Sequence, residues 1–584
     1  MIALGVTGPM HPFRTFLSPD SPVGFGVADY VEIATAAIFV VGILLWAGSS
    51  KKPNLFGSHR VIWLITVAFL PVALRLALLP ECPVPIASGA DDFSYILLGD
   101  TLRHFRLANP PHALPQFFEQ VFVLQEPTYS SMFPLGQGLF LTAGWWIFGH
   151  PWAGVLLSAA AFSGACYWML RGWVSPAWSF IGGLLAVAEF GPLSYWMNSY
   201  WGGAVSATAG CLVYGALPRL RLYGRVRDAC LLAIGMSLQL LTRPFEFVLL
   251  AVSVILFFLS ELRTVFSWRD ARKFAVPIVS IAMATVGLMA LQNKRVTGHW
   301  TTLPYMLAQY QYGIPSTLTF QPNPVPHRTL NEEQQLAYRA QVIIHGESPE
   351  TVRFYFDRLL FRVRFLRFFL LPPLYVALIA FFFAVRGYRW RWLLLTILCF
   401  ALGSNFYPYF YPHYVAAVTS LFVLLSVAGI QKLNEIRLTR DRLRVPIGSV
   451  ILLLCASHFV FWLLVHKLAG KETLSNFASL ESWDYINYGD PQGRMAVDQQ
   501  LIVKPGKKLV FVHYAPGHRF EEWVHNAADI NASEVVWVHD LGPTENAKIL
   551  RYYPQRSAWL LEPDYSPPKL TRYVIQSGGF QDVQ

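Results

Sequence analysis

Long apolar runs separated by short polar, often basic intervals dominate the chain from residue 31 to residue 466. Twelve of them are candidate membrane spans: 31–50, 60–79, 152–170, 174–190, 203–217, 229–243, 246–260, 274–291, 365–385, 390–403, 413–430 and 446–466. A helix perpendicular to a bilayer needs about 20 residues to cross about 30 Å of hydrocarbon. Several runs are shorter, so tilt, flanking residues or protein-lined ends must supply the difference. A further apolar run, LGQGLFLTAGWWIFG at 135–149, would reverse the orientation of everything downstream if it crossed. It reads instead as a juxtamembrane or re-entrant helix with Trp145 and Trp146 in the headgroup layer. A full crossing with a different N-terminal topology is the alternative.

The basic clusters orient these spans. Lys51, Lys52 and Arg60, Arg171, Arg219 to Arg227, Arg263 to Lys273, Arg386 to Arg391 and Lys432 to Arg444 all suit the cytoplasmic side. The stretches 80–151, 191–202, 292–364, 404–412 and everything after 467 then face outward. Residues 1–30 form an N-terminal segment whose opening 26 residues lack the basic start and clean cleavage site of a signal peptide. Residues 31–466 form the membrane body, with outer loops 80–151 and 292–364, and 467–584 form an extracytoplasmic domain. In that tail the β-like runs KKLVFVHY and SEVVWVHD and turns at PGH and LGP predict a small α/β unit.

Composition agrees with the pattern: of 584 residues, 54% are hydrophobic and only 14% charged. An ordinary soluble protein is about 25% charged, so one large soluble enzyme is excluded. The formal charge of +11 resides largely in the orienting clusters, which leaves no reason to invoke nucleic acid. Six scattered cysteines, without a CxxC pair, form neither a disulfide framework nor a soft-metal site. No phosphate-loop, dinucleotide or HExxH motif is present, and no organic cofactor is expected.

Unusual polar residues gather on the outward face. GADDFSYILLGDTLRHFR follows the 60–79 span, and its Asp91 and Asp92 point in different directions on a helix, one toward a reaction centre and one toward a partner or cation. Plain loop solvation is the competing reading. EPTYSSMFPLGQG offers Glu126 and Tyr129 to a polar ligand, and YWMNSYWGG surrounds Asn198 and Tyr200 with aromatics suited to a sugar ring. A turn and a headgroup belt would look similar. LTRPFEF places Arg243 and Glu246 near an outer boundary, as an ion pair or with Arg243 on a phosphate. QNKRVTGHW adds Lys294, Arg295 and His299, and SNFYPYFYPHY adds an aromatic mouth with His413. Together they suggest an outward cleft for an anionic ligand with a polar reacting group.

With Asp91-Asp92 in the first long outer loop, a Pro-rich juxtamembrane stretch after it and a soluble C-terminal extension, the chain resembles the GT-C superfamily of integral-membrane glycosyltransferases. It is most similar in organisation to the branch of bacterial aminoarabinose transferases and dolichyl-phosphate-mannose protein mannosyltransferases. The resemblance implies a polytopic all-α membrane protein of GT-C type with about 12 transmembrane helices, juxtamembrane helices and the C-terminal α/β domain, in a bacterial cytoplasmic membrane. It implies an enzyme, transferring sugar from a polyprenyl-phosphate donor to a lipid, protein or cell-surface glycan acceptor outside the cytoplasm. It further implies acid roles for Asp91 and Asp92, Asp91 favoured as the base, and phosphate contacts for Lys294, Arg295 and Arg243. A divalent metal is compatible but unassigned, and Glu126-Pro127 stands where the related pattern often carries His-Pro. The alternative function is a transporter or flippase of an anionic lipid-linked substrate.

Overall fold

The computed structural model describes residues 60–259, 268–346, 350–384, 386–436, 446–468, 493–518 and 520–573, with isolated positions between 34 and 42. The expected span 31–50 lies outside the described residues except for those positions. The described residues of the other expected spans fall mainly on helical backbone, with 365–385 interrupted. The helices are α1 (Arg60–Ala77), α2 (Ala90–Arg103), α3 (Leu135–Phe148), α4 (Pro151–Leu170), α5 (Pro176–Phe190) and α6 (Ala204–Tyr223). They continue with α7 (Val226–Thr242), α8 (Pro244–Leu259), α9 (Trp268–Thr297), α10 (Pro304–Tyr312), α11 (Glu332–His345) and α12 (Val352–Val363). After these come α13 (Leu374–Ala384), α14 (Tyr388–Ser404), α15 (Thr419–Leu433) and α16 (Ile447–Leu468).

Among the described residues, 5 stretches are long and apolar enough to cross a membrane: α1, α4, Arg272–Thr297 of α9, Pro412–Leu433 leading through α15, and α16. Pro176–Phe190, Pro244–Phe258 and Leu374–Phe383 are shorter apolar helices. The run 365–385 is not one helix. A 3-10 segment at Arg364–Phe369 gives way to an irregular link, and α13 begins only at Leu374. Pro372 and Pro373 have no N–H to continue a helical ladder, and their rings exclude helical conformation from the residue before. The run 135–149 forms α3, whose 14 residues reach about 21 Å, short of a perpendicular crossing. It lies hard against α4: a Cβ on Gly144 would come within 2.1 Å of the Gly154 nitrogen.

The tail holds a small sheet with flanking helices. Its helix α17 (Arg494–Ile502) precedes a 4-stranded sheet in the order β4-β3-β5-β6. A two-stranded pair, β1 (Val123–Leu124) and β2 (Ser130–Ser131), lies in the segment between α2 and α3. β3 (Lys508–Val512) runs parallel to both β4 (Val535–His539) and β5 (Ser557–Glu562), while β6 (Lys569–Arg572) closes the edge antiparallel. Helix α18 (Pro543–Tyr552) connects β4 to β5. The runs KKLVFVHY and SEVVWVHD supply β3 and β4; β5 has the equally apolar AWLL, and β6 carries no comparable run. Strand alternation divides the central β3 between two cores. Leu509 and Phe511 pack with Leu97, Phe117 and Tyr129 of the segment 80–151, whereas Val510 and Val512 pack with Trp523, Trp559 and α17.

Candidate active site

Helix α2 starts at Gly89, which is extended (φ −99°, ψ 161°), so Asp91 and Asp92 occupy the first turn. Helix N-termini favour carboxylates. Successive residues on a helix diverge by about 100°, and the two acids meet different surroundings. Asp92 is 5% exposed and accepts hydrogen bonds from the backbone N–H of Tyr200 (2.9 Å) and Ser88 (3.4 Å). Asp91 lines a cavity of about 410 Å³. Burial pushes the Asp91 carboxyl up to about 7, reinforced by the neighbouring charge of Asp92, against the pull of Arg243. Burial also raises Asp92, to about 6, although backbone N–H donors led by Tyr200 oppose it. Desolvation therefore outweighs the helix terminus for both, and Asp91 is the one facing open space.

Across the chamber, α7 ends and α8 begins at consecutive residues around Arg243, because Pro244 cannot extend the preceding helix but suits the start of the next. The break (φ −146°, ψ 87° at Arg243) and the following turn place Arg243 and Glu246 together on the chamber wall. Their ion pair is 3.2 Å long, and the guanidinium lies 4.7 Å from the Tyr414 ring centre. His413 also lines the cavity. Its backbone N–H donates to the Tyr195 hydroxyl at 3.2 Å, and that hydroxyl is 3.0 Å from the ring Nδ1. Tyr95, Trp201, Tyr305, Tyr407 and Tyr414 complete an aromatic lining, with Gln309 and Ser316 among its polar members.

The other residues singled out by sequence lie elsewhere. Asn198 is buried, accepting from Arg75 Nε at 2.7 Å and donating to the carbonyls of Pro192 and Ser194; it holds a turn. Tyr200 sends its hydroxyl to the Pro85 carbonyl and its N–H to Asp92. Tyr129 is buried and donates to the Asn526 carbonyl at 2.9 Å, tying the segment 80–151 to the tail. Glu126 is exposed and paired with Arg328 at 2.7 Å. Lys294 donates to its own helix end, at the Gly298 carbonyl, and Lys294, Arg295 and His299 are exposed and off the chamber wall. Of the expected set, the structure thus brings Asp91, Arg243 and His413 to one cavity, with Asp92 immediately behind. Sequence reading missed Tyr95, although its position four residues after Asp91 puts it on the same helix face. Among the described residues, no group of three or more His, Cys, Asp or Glu side chains is arranged to hold a metal ion.

Fold and chamber define a multi-helix membrane protein in which an acid, a paired cation and aromatic rings converge beside an α/β unit. No protein-family profile and no curated protein matches the chain. Among solved structures it is similar to ArnT from Cupriavidus metallidurans in the apo state, at 12% identity and a TM-score of 0.48, over 86% of this chain and 93% of that one. The same enzyme bound to undecaprenyl phosphate gives 12% identity and 0.47, over 85% and 93%. The archaeal oligosaccharyltransferase AglB from Archaeoglobus fulgidus, in complex with an inhibitory peptide and a dolichol-phosphate, gives 12% and 0.37, over 86% and 69%. Both proteins are GT-C glycosyltransferases, the group that the sequence itself resembles.

Proposed function

We propose that this protein transfers a sugar from a polyprenyl-phosphate donor to a lipid, protein or glycan acceptor at the outer membrane surface. The observation that carries the reading is that Asp91, Arg243 and a wall of tyrosines line one cavity of about 410 Å³. A carboxyl near neutrality serves as general base: it takes a proton from an acceptor hydroxyl or amine as that group attacks the anomeric carbon. The bond from anomeric carbon to phosphate oxygen breaks, and the departing phosphate gains charge beside Arg243. Phosphate is a competent leaving group, so no acid need protonate it, and single displacement inverts the anomeric centre. Aromatic faces receive the sugar's apolar side. Asp92, already hydrogen-bonded, raises and orients its neighbour.

A flippase for an anionic lipid would use the same cation and rings, but gives no task to a carboxyl poised near pH 7 at the chamber wall. Purified protein incubated with a panel of polyprenyl-phosphate sugars and candidate acceptors tests the proposal. Sugar transfer with release of polyprenyl phosphate is expected. Donor translocation in vesicles without any transfer would replace this reading with transport.

A further inference from the structure

Three consecutive residues of α2 face three different parts of the molecule. Asp91 lines the chamber, Asp92 binds the backbone at Tyr200, and Phe93 enters the C-terminal unit. Phe93 stacks on His525 with ring centres 4.1 Å apart, and the Arg494 guanidinium lies 5.0 Å from the Phe93 ring on its way to Trp523. Helical spacing repeats the division further along. Tyr95, four residues after Asp91, again lines the chamber. Leu97, four residues after Phe93, is 2% exposed and packs with Leu509, Phe511 and Ala528 of the tail. Asp100, seven after Phe93, is 3% exposed and accepts a 2.7 Å hydrogen bond from the Ala528 N–H through Oδ2, while its Oδ1 meets Arg103 at 2.6 Å. At the helix start, the Glu522 N–H reaches the Ser88 carbonyl at 3.3 Å, and the Ser88 N–H in turn reaches Asp92.

One face of α2 therefore belongs to the chamber and the opposite face, about 200° away, belongs to the segment 522–528 and the sheet behind it. Rotating this helix by a fraction of a turn would carry Asp91 out of the cavity. We propose that the C-terminal unit is the positioning element of the active site: by gripping Phe93, Leu97 and Asp100 it fixes the rotation of α2 and thereby the direction of Asp91. The proposal rests on the transferase reading only for the task given to Asp91; the grip itself is a physical claim about α2. Asp100 is the positioning residue through which it is most directly testable. Asparagine there retains an acceptor for the Ala528 N–H, whereas alanine leaves that buried donor unpaired.

The test compares the full-length protein with D100A and D100N by three readouts. Amide hydrogen exchange over 90–103 reads the grip. In D100A the exchange of this segment should rise about tenfold or more, with the other helices unchanged, and D100N should restore most of the protection. The pH dependence of Asp91 modification by a hydrophobic carbodiimide, followed by mass spectrometry, reads the environment of the carboxyl. The groups facing Asp91 are Asp92 on its own helix, Arg243, and Tyr95, Tyr407, Tyr409 and Tyr414, while Arg494 faces Asp92. Burial leads the upward shift of Asp91 to about 7, so a loosened helix that admits water moves the labelling midpoint down in D100A and not in D100N. Transfer rate is the third readout, with a fall in kcat at unchanged donor KM expected. Unchanged exchange and an unchanged labelling midpoint in folded D100A overturn the positioning role. Absence of transfer in the wild-type protein, with both physical readouts as expected, overturns the transferase reading alone.

Discussion

Replacing Asp91 by asparagine separates catalysis from stability in opposite directions. The Asp91 carboxyl has an ordinary value of 3.8 and is pushed up to about 7 in the folded chain, first by burial and then by Asp92. For a carboxyl raised on folding, the sign is unfavourable to the fold: the penalty is absent below about pH 3.8, grows through the interval and is complete above about 7. At about 1.4 kcal/mol for each tenfold change, the ionised side chain costs the folded state up to about 4 kcal/mol at pH 8. The substituted amide is nearly isosteric and uncharged, so D91N should melt at the wild-type temperature or above it at pH 8. The gap should narrow to about 1.6 kcal/mol at pH 5, where Asp91 is protonated in the fold but not in the unfolded chain, and close only below about pH 3.8. Between pH 6 and pH 8 the wild-type rate should climb about tenfold, as the ionised fraction goes from about one eleventh to about ten elevenths. D91N should lose about 100-fold to 10,000-fold in turnover. Initial rates of sugar transfer and thermal unfolding in detergent, measured on the same preparations, check both. A flat rate between pH 6 and 8, or near-normal turnover in folded D91N, would refute the assignment of Asp91. So would lower stability of D91N at pH 8, which would show that its charge supports the fold.

Other expectations follow from the same geometry. R243Q removes the cation on the chamber wall and should raise the donor KM about tenfold to 100-fold, with R243K retaining part of the binding and Glu246 still paired. An unchanged donor KM in folded R243Q would exclude this side chain from the phosphate. Alanine at Lys294 and Arg295 together should change donor KM by no more than about twofold, since both residues are exposed and off the chamber wall; a larger rise would move the donor site outward. G210A tests the packing of α6, because a Cβ there would come within 1.8 Å of the Ala417 carbonyl oxygen. A loss of about 1 to 3 kcal/mol, read as a lowered melting temperature, is expected.

The membrane body was legible in the sequence because apolar length is a local property: a run such as 447–468 must hydrogen-bond its own backbone in lipid, and only a helix does so within one segment. The acidic start of α2 and the Arg243–Pro244 helix break were legible for the same reason, since proline chemistry and N-terminal acids act over a few residues. The broken run 365–385 shows the limit of hydropathy, which registers apolar character and overlooks the paired prolines within it. Strands β3 and β4 announced themselves by their apolar runs. SAWLLE carries the equally apolar AWLL, whereas KLTR, on the sheet edge, has no apolar run and becomes a strand through pairing with β5.

The site divided along the same line. Asp91 and Arg243 could be nominated from their neighbours in sequence, but nothing local distinguishes the Arg243 that reaches the chamber from the Lys294 that turns back to Gly298. Nor does the word YWMNSYWGG reveal that Asn198 is consumed by Arg75, a residue 123 positions away, or that Tyr129 anchors a strand-bearing unit almost 400 residues later. Residue type and short spacing determine which groups are able to bind or transfer a proton. Which of them meet depends on contacts between distant segments, and those arise only when the helices pack, because a side chain's partner is set by the closing of the whole core.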